Sequence, residues 1–85
     1  MNLDLLRHEI DQIDEELMKL FKARMHVSKK IKDFKKRNQL PILDVDREKA
    51  LIDLRKKAFN DEELWPYYEA WLKETMRLSK EYQHE

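Results

Sequence analysis

The chain has 85 residues, enough for one small domain, and lacks glycine and cysteine, which disfavours sheets with tight turns and excludes disulfides and thiolate metal sites. Its 18 basic and 18 acidic residues give a formal net charge of zero, which does not suit a dedicated nucleic-acid-binding protein. Neither an apolar run of 18 residues nor a signal segment is present, so we expect a cytoplasmic protein that does not bind membranes.

The first predicted element is one long helix from Leu3 to about Arg37, uninterrupted by glycine or proline. Asn2 is a suitable N-cap, and Pro41 favours a helix end shortly after Arg37. Apolar side chains recur at steps of three and four, which places them on one face. They are Leu3, Leu6, Ile10, Ile13, Leu17, Leu20, Val27, Ile31 and Phe34.

One position of this apolar stripe is occupied by a cation. Four residues after Leu20 stands Arg24, where the spacing predicts a hydrophobic side chain. Ser28, Ile31 and Lys35 follow on nearly the same line. Arg24 and Lys35 are ~20° apart around an ideal helix and ~16 Å apart along its axis, a gap that two long side chains can narrow around a small ligand. Considered alone, such an arginine is more often part of a structural ion pair or a side chain that reaches back to solvent.

The second predicted helix runs from an N-cap at Asp44 to about Phe59, and its apolar positions are Ala50, Leu51, Leu54 and Ala58. Four residues before Leu51 stands Arg47, followed by Glu48, so an arginine again heads an apolar stripe. Two such arginines on different helices favour an anion site, because a net-cationic interior requires a bound anion.

The third predicted helix follows a short turn. Residues 60–63 resemble a capping box, but a proline is tolerated only in a first helical turn. We therefore expect a turn over residues 60–65 and a helix from Pro66 to about Gln83. Its inner face ends in polar groups, and the series is Tyr68, Leu72, Met76, Ser79 and Gln83.

The predicted helix lengths favour two copies of the chain. The first helix would be ~50 Å long and the others ~22 and ~27 Å, so neither covers the long stripe. We therefore predict an intertwined homodimer around the first helix. Arg7 lies ~26 Å from Arg24 along that helix, so only the partner's Arg7 can share a ligand with Arg24. The pooled candidates suit a small dianion, because arginines bind carboxylates bidentately; they are the partner's Arg7, Arg24, Lys35, Arg47, Glu48, Ser79 and Gln83.

Several segments with these residues match a known family over nearly the whole chain. They are residues 6–14, the segment around Arg24, Lys35, residues 40–42, residues 44–48, and Ser79 with Gln83. With them, the chain closely resembles the all-helical (AroQ-type) chorismate mutases. The resemblance implies an all-α fold, one domain over residues 1–85, and an intertwined homodimer with two equivalent sites. It also implies that chorismate rearranges to prephenate in phenylalanine and tyrosine biosynthesis, without cofactor, metal or covalent catalysis.

The resemblance also implies a role for each candidate. Arg24 and the partner's Arg7 would hold the substrate carboxylates, with support from Arg47 and Ser79. Lys35 and Gln83 would donate hydrogen bonds to the ether oxygen as its C–O bond breaks. Glu48, with the backbone near Asp44, would bind the ring hydroxyl. Fixed clamps and preorganised donors suit a reaction whose demands are orientation and developing negative charge.

The sequence is compatible with three alternatives to an active mutase. An isochorismate-pyruvate lyase shares the fold and much of the cationic site, but Glu48 favours the mutase. A non-enzymatic helical dimerisation module leaves Arg24 and Arg47 on apolar stripes unexplained. A family member that retains the fold without the activity is a further possibility.

Overall fold

The computed structural model, which describes residues 2–84, contains three helices: α1 (Leu3–Arg37), α2 (Val45–Phe59) and α3 (Trp65–His84). No strand occurs within these residues, and the prediction of an all-α fold is confirmed. α1 and α2 have the predicted bounds. α3 begins one residue before the predicted start, with Pro66 in its first turn, where the missing N–H of proline is tolerated. No helix of the described part is long and apolar enough to cross a membrane.

Short polar side chains begin the first two helices. Oδ1 of Asn2 accepts the N–H of Leu5 at 2.9 Å, and Oδ1 of Asp44 accepts the N–H of Arg47 at 2.9 Å. Each side chain satisfies an N–H that has no partner within its helix. Both predicted N-caps are thereby confirmed.

The segment between α2 and α3 is a short turn, as predicted, and no helix starts at residues 60–63. Asn60 ends α2 in the left-handed conformation, with φ 51°. Oδ1 of Asp61 then accepts the N–H of Leu64 at 3.0 Å, and the backbone oxygen of Asp61 accepts the N–H of Trp65. Asp61 therefore closes a turn that precedes α3, because its side chain bonds within that turn.

The end of α1 is a Schellman motif, whereas the sequence pointed to Pro41. The N–H of Leu40 donates to the oxygen of Lys35 at 2.8 Å, and the N–H of Gln39 donates to the oxygen of Lys36 at 3.4 Å. Gln39 has φ 54°, a left-handed conformation in which glycine is the usual residue. This chain contains no glycine, so a glutamine adopts the conformation instead. The motif turns the chain so that Ile42 comes within hydrogen-bond distance of Lys35.

The interior of the described chain is small and mostly polar. α3 packs against both α1 and α2. Leu72 and Met76 are the buried hydrophobic side chains of residues 2–84, and the buried polar side chains are Ser28, Ser79 and Gln83. In most protein cores the buried hydrophobic side chains outnumber the buried polar ones. The buried residues therefore follow one face of α3, from Leu72 to Gln83, and include Ser28 of α1.

An aromatic row joins the end of α2 to the start of α3. The ring of Phe59 stacks on Tyr68 with centroids 4.8 Å apart and meets Trp65 edge-on at 5.7 Å. Tyr68 continues the row to Trp71 at 5.7 Å. Such pairs stabilise packing beyond the area they bury, and here they anchor two helices across the turn.

The predicted apolar stripe of α1 lies in solvent in the single chain. All nine of its members are 40–64% exposed. The chain extends 55 Å along its longest axis, and its radius of gyration is 16.1 Å. A compact chain of this length would have a radius of about 12 Å. The fold of one chain therefore leaves its longest apolar surface uncovered.

The accessible area leads to the same conclusion. The chain exposes 7555 Å², whereas a folded monomer of this mass exposes about 5,400 Å². The difference is about 2,100 Å² per chain, which exceeds the roughly 800 Å² per partner of a standard interface and lies in the range of obligate ones.

We expect Leu72→Ala to lower the free energy of unfolding by about 2–4 kcal/mol, because it deletes buried methyl groups and leaves a cavity under α3. Urea denaturation at fixed protein concentration measures this change. Tyr67→Ala is the control on the same helix, since that side chain is 74% exposed, and its change should stay within about 0.5 kcal/mol. Equal losses in the two variants would contradict the buried position of Leu72.

Candidate active site

A cavity of about 200 Å³ lies among the three helices and the loop that precedes α2. Seven of the eight candidate residues line it, contributed by α1, α2, α3 and the N-cap of α2. They are Arg24, Lys35, Asp44, Arg47, Glu48, Ser79 and Gln83. Residues that are up to 59 positions apart in the chain thus surround one space.

Arg24 occupies the inner face of α1 because α3 supplies it with a partner. Its guanidinium Nη1 donates a hydrogen bond to Oγ of Ser79, which is buried. Arg24 itself is half-buried, and Ser28, one turn along α1, is buried beside the same cavity. A guanidinium carries five N–H groups, so this one bond orients it and leaves others for an anion.

Lys35 is held by the loop that the Schellman motif creates. Its Nζ donates to the backbone oxygen of Ile42 at 2.9 Å, and the side chain is half-buried. An ammonium group has three hydrogens, so two remain for a ligand in the cavity. The end of α1 thus places both the lysine and the carbonyl that orients it.

Gln83 presents a polar group that the described protein does not satisfy. The side chain is buried against the cavity, and its Oε1 has no hydrogen-bond partner among residues 2–84. A buried polar atom without a partner costs about 1–3 kcal/mol. Such an atom in a cavity wall indicates a place where a ligand can supply the missing bond.

The cavity is net positive. Its cations are Arg24, Lys35, Arg47 and Lys80, and its anions are Asp44 and Glu48. Nζ of Lys80 lies 2.9 Å from Oε1 of Glu48, so this pair is neutral as a unit. Arg47 and Asp44 are exposed, and they form the open rim. Four cations against two anions leave a charge of plus two, which matches a dianion.

Arg7, the eighth candidate, is not part of this cavity. It is exposed on the first turns of α1, ~26 Å from Arg24 along the helix. A second, apolar cleft of about 300 Å³ lies between α1 and α3 and is lined by Leu17, Leu20 and Trp71 among others. Arg24 borders both spaces, so the apolar cleft opens directly beside the cationic one.

Glu74 and Arg77, an exposed pair outside this cavity, shift each other's pKa. A side-chain hydrogen bond from Arg77 holds the pKa of Glu74 below its ordinary value. The same bond raises the pKa of Arg77, and Glu81 adds to that rise. Because the pKa of Glu74 is depressed, the stabilisation by this pair is present at neutral pH and is lost as the pH falls through that pKa.

Two polar residues of the cavity wall, Ser28 and Lys80, were absent from the predicted site. Ser28 lies on the line between Arg24 and Lys35, and its spacing of four from Arg24 was a usable signal. Lys80 had no such signal, because its partner Glu48 lies on another helix. Within residues 2–84, no group of three or more His, Asp or Glu side chains is arranged to hold a metal ion.

Comparisons with known proteins identify a family that matches all the residues lining the cavity. A sequence profile of the family described as "Chorismate mutase type II" matches residues 6–84. A bifunctional chorismate mutase/prephenate dehydratase of Aquifex aeolicus (strain VF5) is 40% identical over 48 residues, which are 56% of this chain and 13% of that protein. The chain thus corresponds to a small part of that relative. No solved structure gives a significant match.

We expect Gln83→Met to raise the free energy of unfolding by about 1 kcal/mol, because it removes a buried amide oxygen that has no partner and leaves an apolar chain of similar length. Urea denaturation without ligand measures the change, and Thr75→Met on the less buried part of α3 is the control. A marked loss of stability in Gln83→Met alone would show that the amide is satisfied in the free protein.

Proposed function

Since the chain belongs to the chorismate mutase type II family, we propose that it catalyses the rearrangement of chorismate to prephenate. The observation that carries the proposal is the net-positive cavity in which Arg24, Lys35 and Gln83 face one space. Chorismate is a dianion, and its charge complements the plus two of the lining. The family match over residues 6–84 covers every residue of this lining.

We propose that orientation is the first task of the site. The reaction breaks an ether C–O bond and forms a C–C bond within one molecule, which requires a folded conformer of a flexible substrate. Arg24, steadied by Ser79, would grip one carboxylate, and Arg47 at the rim would assist. Fixing reactants in a productive geometry accounts for up to ~7–11 kcal/mol of barrier in favourable cases.

Stabilisation of developing charge is the second task. Negative charge grows on the ether oxygen as its bond to carbon breaks, and Lys35 retains ammonium hydrogens for that oxygen. Gln83 can donate as well, since rotation of its terminal amide exchanges the positions of Oε1 and Nε2. Glu48, with the backbone near Asp44, would accept the ring hydroxyl. No proton transfer and no covalent intermediate is needed, so these residues act without a cofactor.

We further propose that the working enzyme is an intertwined homodimer. The exposed stripe of α1 and the surplus of about 2,100 Å² support this assembly. The apolar cleft beside Arg24 offers a place for the partner's α1, which would bring the partner's Arg7 to the second carboxylate. Each site would then draw on two chains, as the sequence resemblance implies.

The wider assignments remain predictions. These are a single chorismate mutase domain over residues 1–85, a role in phenylalanine and tyrosine biosynthesis, and a cytoplasmic location. The name of the Aquifex relative also includes prephenate dehydratase, but the matched segment is 13% of that protein. The lyase and the dimerisation module receive no support from the family match.

We expect Arg24→Ala to reduce kcat/KM for chorismate by at least ~100-fold, because the carboxylate loses its clamp. Gln83→Ala should reduce kcat by roughly 100- to 1,000-fold, as the loss of an oxyanion-hole donor does. The fall in chorismate absorbance measures both, with no metal or nucleotide added.

Arg77→Ala is the matched control, since Arg77 lies on the outer face of α3 with Glu74 and Glu81. Its rate should stay within about twofold of wild type. Equal rates for wild type and Arg24→Ala would refute the site assignment. Faster release of pyruvate from isochorismate than conversion of chorismate would favour the lyase.

Mixing two inactive variants tests the shared site. We expect Arg7→Ala and Arg24→Ala, unfolded together and refolded at equal amounts, to recover about a quarter of wild-type activity. About half of the dimers would be mixed, and each would hold one intact site of two. Light scattering after size exclusion measures the dimer directly. A stable active monomer, or no recovery despite mixed dimers, would contradict the shared site.

A further inference from the structure

Lys80 and Glu48 form an ion pair that spans two helices. Nζ of Lys80 on α3 lies 2.9 Å from Oε1 of Glu48 on α2, and both side chains line the cavity. The other ion pairs between described side chains each join residues of one helix, three or four positions apart. The pair thus connects α2 to α3 at the cavity that the candidate site residues line.

The pair constrains the carboxylate of Glu48. The ammonium of Lys80 holds it on one side, 2.9 Å from Oε1. A carboxylate accepts through two oxygens with about four lone-pair sites, so acceptor capacity remains toward the cavity. Glu48 and Lys80 keep 26% and 32% of their side-chain areas exposed, so the carboxylate is held without being sealed from a ligand.

The backbone of Lys80 is itself well fixed. It stands next to Ser79 and three residues before Gln83, both of which are buried against the same cavity. Packing of α3 at Ser79 and Gln83 therefore determines where the Lys80 side chain begins. A rigid support of this kind is what allows one side chain to orient another.

We propose that Lys80 is a positioning residue that holds the Glu48 carboxylate in place to accept the ring hydroxyl of the substrate. This inference rests on the proposed chorismate mutase function. It makes Lys80 a determinant of selectivity for substrates that carry the hydroxyl. Lys80 acts through Glu48, whereas Arg24 and Lys35 act on the substrate itself.

The test compares Lys80→Met, Lys80→Arg, Glu48→Gln and the Lys80→Met/Glu48→Gln double variant, all as full-length chains. Each is assayed with chorismate and with a chorismate analogue that lacks the ring hydroxyl. Lys73→Met is the matched control, because Lys73 forms its ion pair with Glu69 within α3 and away from the cavity. Size exclusion and thermal unfolding confirm that each variant is folded and keeps the wild-type assembly.

With chorismate, we expect Lys80→Met to raise KM about fivefold, the size that a partly exposed ion pair supports, with kcat within about twofold. The hydroxyl is bound both before and during the reaction, so a weaker contact between Glu48 and this hydroxyl raises KM more than it lowers kcat. Lys80→Arg should restore KM to within about twofold, because it keeps the cation. The double variant should be no worse than Glu48→Gln alone, and the analogue should show no difference between wild type and Lys80→Met.

The outcomes separate the possible failures. An unchanged KM in Lys80→Met, with active wild type, overturns the inference and leaves the proposed function intact. An equal KM increase with the analogue also overturns it, because Lys80 would then act as a general attraction for the dianion. Wild-type protein that leaves chorismate unchanged overturns the proposed function and this inference together.

Discussion

A guanidinium on the inner face of a helix needs a partner for its charge, and that constraint organises this molecule. Arg24 is oriented by Ser79, so α3 must approach α1 with a hydroxyl where a hydrophobic residue would otherwise pack. Ser28 and Gln83 extend the same polar zone. The cavity is therefore a direct consequence of how α1 and α3 meet, and α2 closes it with Arg47 and Glu48.

The same constraint explains why one chain holds so little apolar material. Leu72 and Met76 are its buried hydrophobic side chains among residues 2–84, whereas the stripe of α1 stays exposed. Together with the partly buried aromatic row, these side chains bury little apolar area against the entropy of ordering this chain. Burial of the stripe against a second copy would supply the missing stabilisation and complete the ligand set with the partner's Arg7. Stability and activity would then share one interface.

The periodicity of the sequence predicted the helices and their buried faces, but it could not predict contacts between residues on different helices. The bounds of α1 and α2, the caps at Asn2 and Asp44, and the buried face of α3 follow from local rules. The same periodicity identified Arg24, because it is a charged residue at a position of the apolar stripe of α1. The Lys80–Glu48 pair was not predicted, because neighbours on different helices leave no spacing in the chain. Nor was the left-handed Gln39, since propensity assigns that conformation to glycine.

The Schellman motif at the end of α1 has a consequence for how this connection can evolve. It anchors Gln39 and Leu40, and only a few residues later Ile42 supplies the carbonyl for Lys35 and Asp44 caps α2. The spacing between these three anchors is a fixed count. Surface loops usually tolerate insertions. Here one added or deleted residue would misplace either the carbonyl or the cap, so natural variation in this connector should change residue types but preserve its length.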